Sequence, residues 1–167
     1  MRLIDPEQIK AAKAIHERAR YLRGRFLNSV AVIEHDLAEI ITWYFCHDDD
    51  TKRELFFNTI ASHLSLEKKK QIYSNILEIV NPIFHQNNKD LLQSLKQIQE
   101  FRNKLAHSIV AITDVTLNRP IDDGVGFVQW RKGDPITDDE FDDWEGKTGK
   151  VYCMVTNSKS LLGMPSD

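Results

Sequence analysis

The chain has 167 residues, of which 41% are hydrophobic and 28% charged, values that exclude disordered, collagen-like and fibrous classes. That length suits one domain with an appendage, and two well-separated cysteines, Cys46 and Cys153, exclude a disulfide framework and a CxxC metal site. The net charge of −3 hides a split: residues 1–111 carry 16 Lys and Arg against 14 Asp and Glu, a balance of +2, and residues 112–167 carry 6 against 11, a balance of −5.

Asp5-Pro6-Glu7 reads as a helix start, with a capping carboxylate, proline at the first helical position and an acid where the dipole favours it. The helix that follows has a thin apolar stripe of Ile9, Ala12, Ala19 and Leu22, and Gly24 marks either a kink or a close packing point. Residues 1–25 hold seven basic side chains (Arg2, Lys10, Lys13, Arg18, Arg20, Arg23 and Arg25) against three acids. Such a balance suits phosphate contacts through counterion release, although most basic helix faces are plain solvated surface. Phe26, Val30, Ile33, Leu37, Ile40, Ile41 and Tyr44 then recur at helical spacing as a core helix that stops before His47-Asp48-Asp49-Asp50. Residues 52–64 are amphipathic but ambiguous. Ser65 caps a helix through Val80, with Leu66, Lys69, Ile72, Tyr73, Ile76, Ile79 and Val80 inward, and Asn81-Pro82 ends it. Asn88 caps the last long helix, running through Leu91, Leu95, Ile98, Leu105 and Ile109.

After Ser108 the apolar period changes from 3.6 to 2, and residues 109–117, 126–131 and 150–156 predict three short strands. Residues 134–145 (DPITDDEFDDWE) hold seven acids and two aromatics, as a short acidic helix or a loop. The fold class is therefore mainly α: a helical domain over residues 1–109, and a strand-rich extension over residues 110–167 that packs on the helices as a small antiparallel β appendage. Glycine-rich phosphate loops, HExxH and Gly-x-Ser-x-Gly are absent from the sequence. Consecutive acids such as Asp48-Asp49-Asp50 rarely converge on one ion, so neither a metal nor a cofactor is expected. No apolar run approaches the roughly 18 residues of a membrane span, and without a signal segment the expectation is a cytoplasmic protein.

Heptad spacing places Arg102 in line with Leu91, Leu95, Ile98, Leu105 and Ile109, and Glu34 in line with Leu27, Val30, Leu37 and Ile41. Burying either charge unpaired would cost several kcal/mol, so the two are expected to face each other as a hydrogen-bonded pair; snorkelling to solvent is the alternative. His107 lies about 140° around the helix from Arg102 and roughly 7.5 Å along it. It therefore shares the open side with Lys96, Glu100 and Asn103. For His107 and Arg102 to act on one phosphate, the helix must end near His107 or a second copy must supply part of the site.

Arg102-Asn103-Lys104-Leu105-Ala106-His107 resembles the Arg-polar-x-x-x-His signature of HEPN domains, the four- to five-helix domains of prokaryotic toxins and defence systems. The core helix with Ile33-Glu34 and the helix start at Leu64-Ser65-Leu66-Glu67 resemble the family's layout, over roughly residues 5–109. The resemblance implies a metal-independent endoribonuclease, acting as a homodimer through the signature helix and restrained by an antitoxin or a defence-system partner. His107 would act as general base or acid, Arg102 would bind the scissile phosphate, Asn103 would orient the His or the phosphate, and Glu34 would hold Arg102. Lys104, Arg18 and Arg25 are the candidate RNA-binding cations. Ile109 stands where adenylylated toxins of this kind often carry Tyr, so control at that position is not expected. The alternative is a non-catalytic HEPN-like dimerisation or RNA-binding module, in which Arg102 is an ion-pair partner and His107 surface. The charge split suggests that RNA approaches the helical face, and that the acidic tail lies elsewhere or shields it.

Overall fold

The computed structural model describes residues 5–118, 125–128 and 137–165. It is mainly helical, with one two-stranded antiparallel sheet. Helix α1 (Pro6–Cys46) starts as its sequence dictates, with Asp5 Oδ1 accepting from the Glu7 N–H at 3.1 Å and Pro6 at the first helical position. It runs unbroken through Gly24, where a Cβ would meet nothing within 4 Å, so that glycine is not a close packing point. A mid-helix glycine costs only about 1 kcal/mol relative to alanine. Burial of Ala19, Leu22, Phe26, Val30, Ile33 and Leu37 at three- and four-residue spacing carries the helix across it.

Asp49 caps α2 (Asp50–Thr59), and a single 3-10 turn (Ala61–His63) leads to Ser65, which caps α3 (Leu66–Val80) by accepting from the Lys68 N–H. The inner face of α3 is Leu66, Lys69, Tyr73, Ile76 and Leu77. Ile79 and Val80, expected inward, are exposed, because the helix is stopping where they stand. Asn81 ends α3 and caps α4 (Pro82–Asn87); Asn88 ends α4 and precedes α5 (Lys89–Ala106).

β1 (Ile109–Val110) pairs with β2 (Phe127–Val128), Ile109 opposite Val128 and Val110 opposite Phe127, with α6 (Asp114–Leu117) between them in the chain. The expected strand over residues 109–117 is thus two residues long, and residues 129–131 of the second lie outside the described residues. The third strand is overturned. Residues 150–156 belong to α7 (Asp138–Leu161). Its buried positions are Phe141, Thr148, Val151, Met154, Val155 and Ser158, a helical spacing on which packing overrides the β preference of Val and Tyr. Thr137 caps α7 through the Glu140 N–H, and Gly163 at φ 66° closes it, with Met164 N–H reaching back to the Lys159 carbonyl in a Schellman arrangement.

The chain forms two compact units, residues 1–28 with 101–146, and residues 29–100 with 147–167. The core of the first is aromatic. Phe101 meets Phe26 edge-on at 4.9 Å, Phe141 at 5.8 Å and Trp144 in a stack at 4.5 Å, and Phe127 meets Phe141 at 5.6 Å. The second unit buries Leu37, Ile40, Tyr73, Leu77, Leu95, Ile98 and Val155. Its polar ties are Tyr73 Oη to Ser158 Oγ at 2.9 Å, Trp43 Nε1 to the Leu162 carbonyl at 3.1 Å, and Lys159 Nζ between Asp36 at 3.0 Å and Glu39 at 2.8 Å.

Candidate functional site

The end of α5 decides where the signature side chains go. The helix closes at Ala106: the His107 N–H still donates to the Asn103 carbonyl at 3.2 Å, whereas the Ser108 N–H turns to Leu105 at 3.4 Å. Ser108 is buried and its hydroxyl donates to the Lys104 carbonyl, satisfying a helix-end acceptor that has no intrahelical partner. From α1, Arg23 Nη2 donates to the Ser108 carbonyl at 2.6 Å, with its guanidinium 5.0 Å over the Phe127 ring. The backbone immediately after His107 is thereby held on three sides before it enters β1. Ile109, expected to continue the helix seam, stands on β1 and is exposed.

Within this end, Arg102 is half-buried and its Nη1 donates to Asn103 Oδ1 at 3.1 Å, while Asn103 and His107 are exposed. The fully buried line on α5 is Leu95, Ile98, Phe101 and Leu105, so Phe101 occupies the seam and Arg102 its flank. On α1 the seam residue is likewise Ile33, with Glu34 half-buried beside it. Neither charge lies on the apolar line as expected, because a heptad count drifts from a straight helix's 3.6-residue turn by about 20° per heptad.

Glu34 belongs to the second unit, where its charge acts on Lys69. Lys69 is buried on α3 and its Nζ lies 3.4 Å from the Ser62 carbonyl. Burial pushes its pKa down, and the Glu34 charge opposes that shift. Lys69 falls at inward spacing between Leu66 and Tyr73, the position the helical periodicity assigns to it. Arg23 was detectable in the same way, four residues after Ala19 and three before Phe26, on the apolar stripe.

The three candidate RNA-binding cations share one environment. Arg18 Nη2 pairs with Asp138 Oδ2 at 3.0 Å, Arg25 grips both carboxylate oxygens of Glu145, and Lys104 Nζ lies 3.9 Å from Glu140 Oε1. All three acids belong to the first two turns of α7, so the acidic stretch covers part of the basic surface of its own unit. Lys10, Lys13 and Arg20 are exposed and without an ion pair among the described residues.

Among the described residues one group has the make-up of a cation site, His35, Asp36 and Glu39, and the Lys159 ammonium already bridges its two carboxylates. Asp49 and Asp50 serve a cap and local pairs to Lys52 and Arg53. No helix among the described residues is long and apolar enough to cross a membrane. Comparison with protein-family models, with curated proteins and with solved structures finds no match to this chain.

Proposed function

We propose that the chain is a metal-independent endoribonuclease of HEPN type, acting as a homodimer in a toxin-antitoxin or phage-defence role. The observation that carries this reading is the end of α5: Arg102 bonded to Asn103, Asn103 and His107 open to solvent, and a helix that ends at Ala106, with the backbone turning off the helical pattern directly after His107. In this reading His107 takes the proton of a ribose 2′-OH or delivers one to the departing 5′ oxygen. The 2′ oxygen attacks the phosphorus, the P–O5′ bond breaks, and the products are a 2′,3′-cyclic phosphate and a 5′-OH. Arg102 meets the charge developing on the phosphate, and the Asn103 amide group, its oxygen engaged by Arg102, donates to a phosphate oxygen.

Incubation of the pure protein with total RNA in EDTA tests this. Cleavage that survives chelation and vanishes in His107→Ala, with an unchanged melting temperature, supports it; equal cleavage by wild type and His107→Ala refutes the role of His107. The engagement of Arg18, Arg25 and Lys104 by carboxylates favours a second reading, a HEPN-like interaction module without catalysis. That reading requires RNA or a partner to bind with no cleavage under any condition.

A further inference from the structure

The three cations that would meet an RNA backbone are each engaged, and each by a residue of one short segment. Asp138, Glu140 and Glu145 lie within eight residues at the start of α7: Asp138 pairs with Arg18 at 3.0 Å, Glu145 grips Arg25 through both oxygens, and Glu140 faces Lys104 at 3.9 Å. Two of these cations belong to α1 and one to the signature turn of α5. The segment is seated beside that turn by its aromatics: Phe141 is buried, and Trp144 stacks on Phe101, the residue before Arg102. Its outer acids, Asp139, Asp142 and Asp143, are exposed and carry no ion pair among the described residues. A carboxylate gripped by a guanidinium through two oxygens has the geometry of a phosphate in the same grip.

We propose that the start of α7 is a built-in phosphate mimic, whose carboxylates Asp138, Glu140 and Glu145 occupy the surface on which Arg18, Lys104 and Arg25 would take the backbone of single-stranded RNA. The inference rests on reading the chain as an RNA-binding protein and adds how that binding is limited. RNA engages the three cations only by displacing the carboxylates from them, and the displaced carboxylates then repel the incoming phosphates. Binding is accordingly weak and shallow in its salt dependence until the acids are removed.

The test compares two triple variants of the full chain with equal change of charge on the same helix. One is Asp138→Asn with Glu140→Gln and Glu145→Gln; the other is Asp139→Asn with Asp142→Asn and Asp143→Asn. Each is titrated into a fluorescent single-stranded RNA oligonucleotide over a range of salt. The first should bind about tenfold more tightly than wild type, as removal of three surface pairs permits. Its log–log salt slope should steepen by about 2, the expectation for three freed cations on a single strand. The second should gain about twofold or less, because unpaired surface charges act through screened solvent. Adding Arg18→Gln and Arg25→Gln to the first triple should abolish its gain. Should that triple fail to fold, Glu145→Gln alone, at an exposed pair, should gain about threefold. Equal gains from the two triples would reduce the effect to net charge and overturn the proposal. A gain that survives loss of Arg18 and Arg25 would overturn it too, as would unchanged affinity in a protein that does bind RNA, and in that case the RNA reading stands. Absence of RNA binding in every variant would remove that reading, and the mimic with it.

Discussion

Tyr73→Phe offers the sharpest test of how α3 and α7 are joined. The Tyr73 side chain is fully buried and its hydroxyl donates to Ser158 Oγ at 2.9 Å. Burial pushes its pKa up from 10.0 to about 12, against a smaller opposing effect of that hydrogen bond. At neutral pH, deleting the hydroxyl removes one hydrogen bond. Ser158 keeps the Val155 carbonyl at 2.6 Å as acceptor for its own proton, so the cost should be about 1 kcal/mol. The sign at high pH follows from linkage. A raised acid pKa gives stability that is fully present below the unfolded value and is lost as pH rises toward the folded one. The wild type should therefore lose, relative to the variant, about 0.4 kcal/mol at pH 10, about 1.4 kcal/mol at pH 11, and up to about 2.7 kcal/mol beyond pH 12. The two stabilities should cross between roughly pH 10 and 11.5. Urea unfolding followed by circular dichroism at pH 8, 10 and 11 measures this directly. A difference between the two proteins that stays constant from pH 8 to 11 would refute the burial of this hydroxyl and the seating of Ser158 against it.

Other perturbations address other joints. Lys159→Met leaves Asp36 and Glu39 without their cation and should cost about 3 kcal/mol in denaturant unfolding; a loss under about 0.5 kcal/mol would mean that the bridge is solvated. Burial lowers the Lys159 pKa, but hydrogen bonds to Glu39 and Asp36 outweigh it and raise the pKa, so the bridge's contribution should persist below the unfolded lysine value and fade as pH climbs past it. Cys153→Pro, at an exposed position in the middle of α7, should cost about 3 kcal/mol or more by removing a backbone bond and clashing with the preceding turn, and near-wild-type melting would restore the strand reading of residues 150–156. On the proposed ribonuclease reading, Arg23→Gln should lower RNA cleavage with a smaller change in RNA affinity, since Arg23 fixes the Ser108 carbonyl behind His107, and Arg23→Lys should restore part of it; equal loss in both properties would make its role merely structural.

Elements whose signals are local were legible in the sequence. Asp5-Pro6, Ser65 and Asn81-Pro82 start or stop helices through their own side chains, and each does so where its type predicts. Residues 150–156 were misleading because Val151, Tyr152, Val155 and Thr156 favour strands, while the evidence for a helix lies in positions as distant as Phe141 and Ser158, which share its buried face. The candidate site was half legible. Arg102, Asn103 and His107 stand out as a string, but the end of α5 does not, since Ile109 prolongs the apolar pattern past the stop. What stops the helix is the Ser108 hydroxyl on the Lys104 carbonyl and a guanidinium 85 residues away, neither of which leaves a periodic trace.

The charge split shows the same limit from another side. A basic front and an acidic back suggest two surfaces of opposite sign, one inviting RNA and one repelling it. In the first unit the two populations instead meet: Arg18, Arg25 and Lys104 spend their charge on Asp138, Glu145 and Glu140. Exposed pairs of this kind contribute about 0–1 kcal/mol each to stability, so folding alone gives little reason to place three of them around the signature turn. Their electrostatic effect on a third party is larger, because a cation already neutralised by a carboxylate neutralises less phosphate charge and so releases fewer of the counterions condensed on a nucleic acid. The net charge of −3 is therefore a poor guide to what this surface attracts; the guide is which cations remain unpaired. On α1 those without an ion pair among the described residues are Lys10, Lys13 and Arg20, all exposed, and a polyanion can reach them without displacing any carboxylate of the described residues.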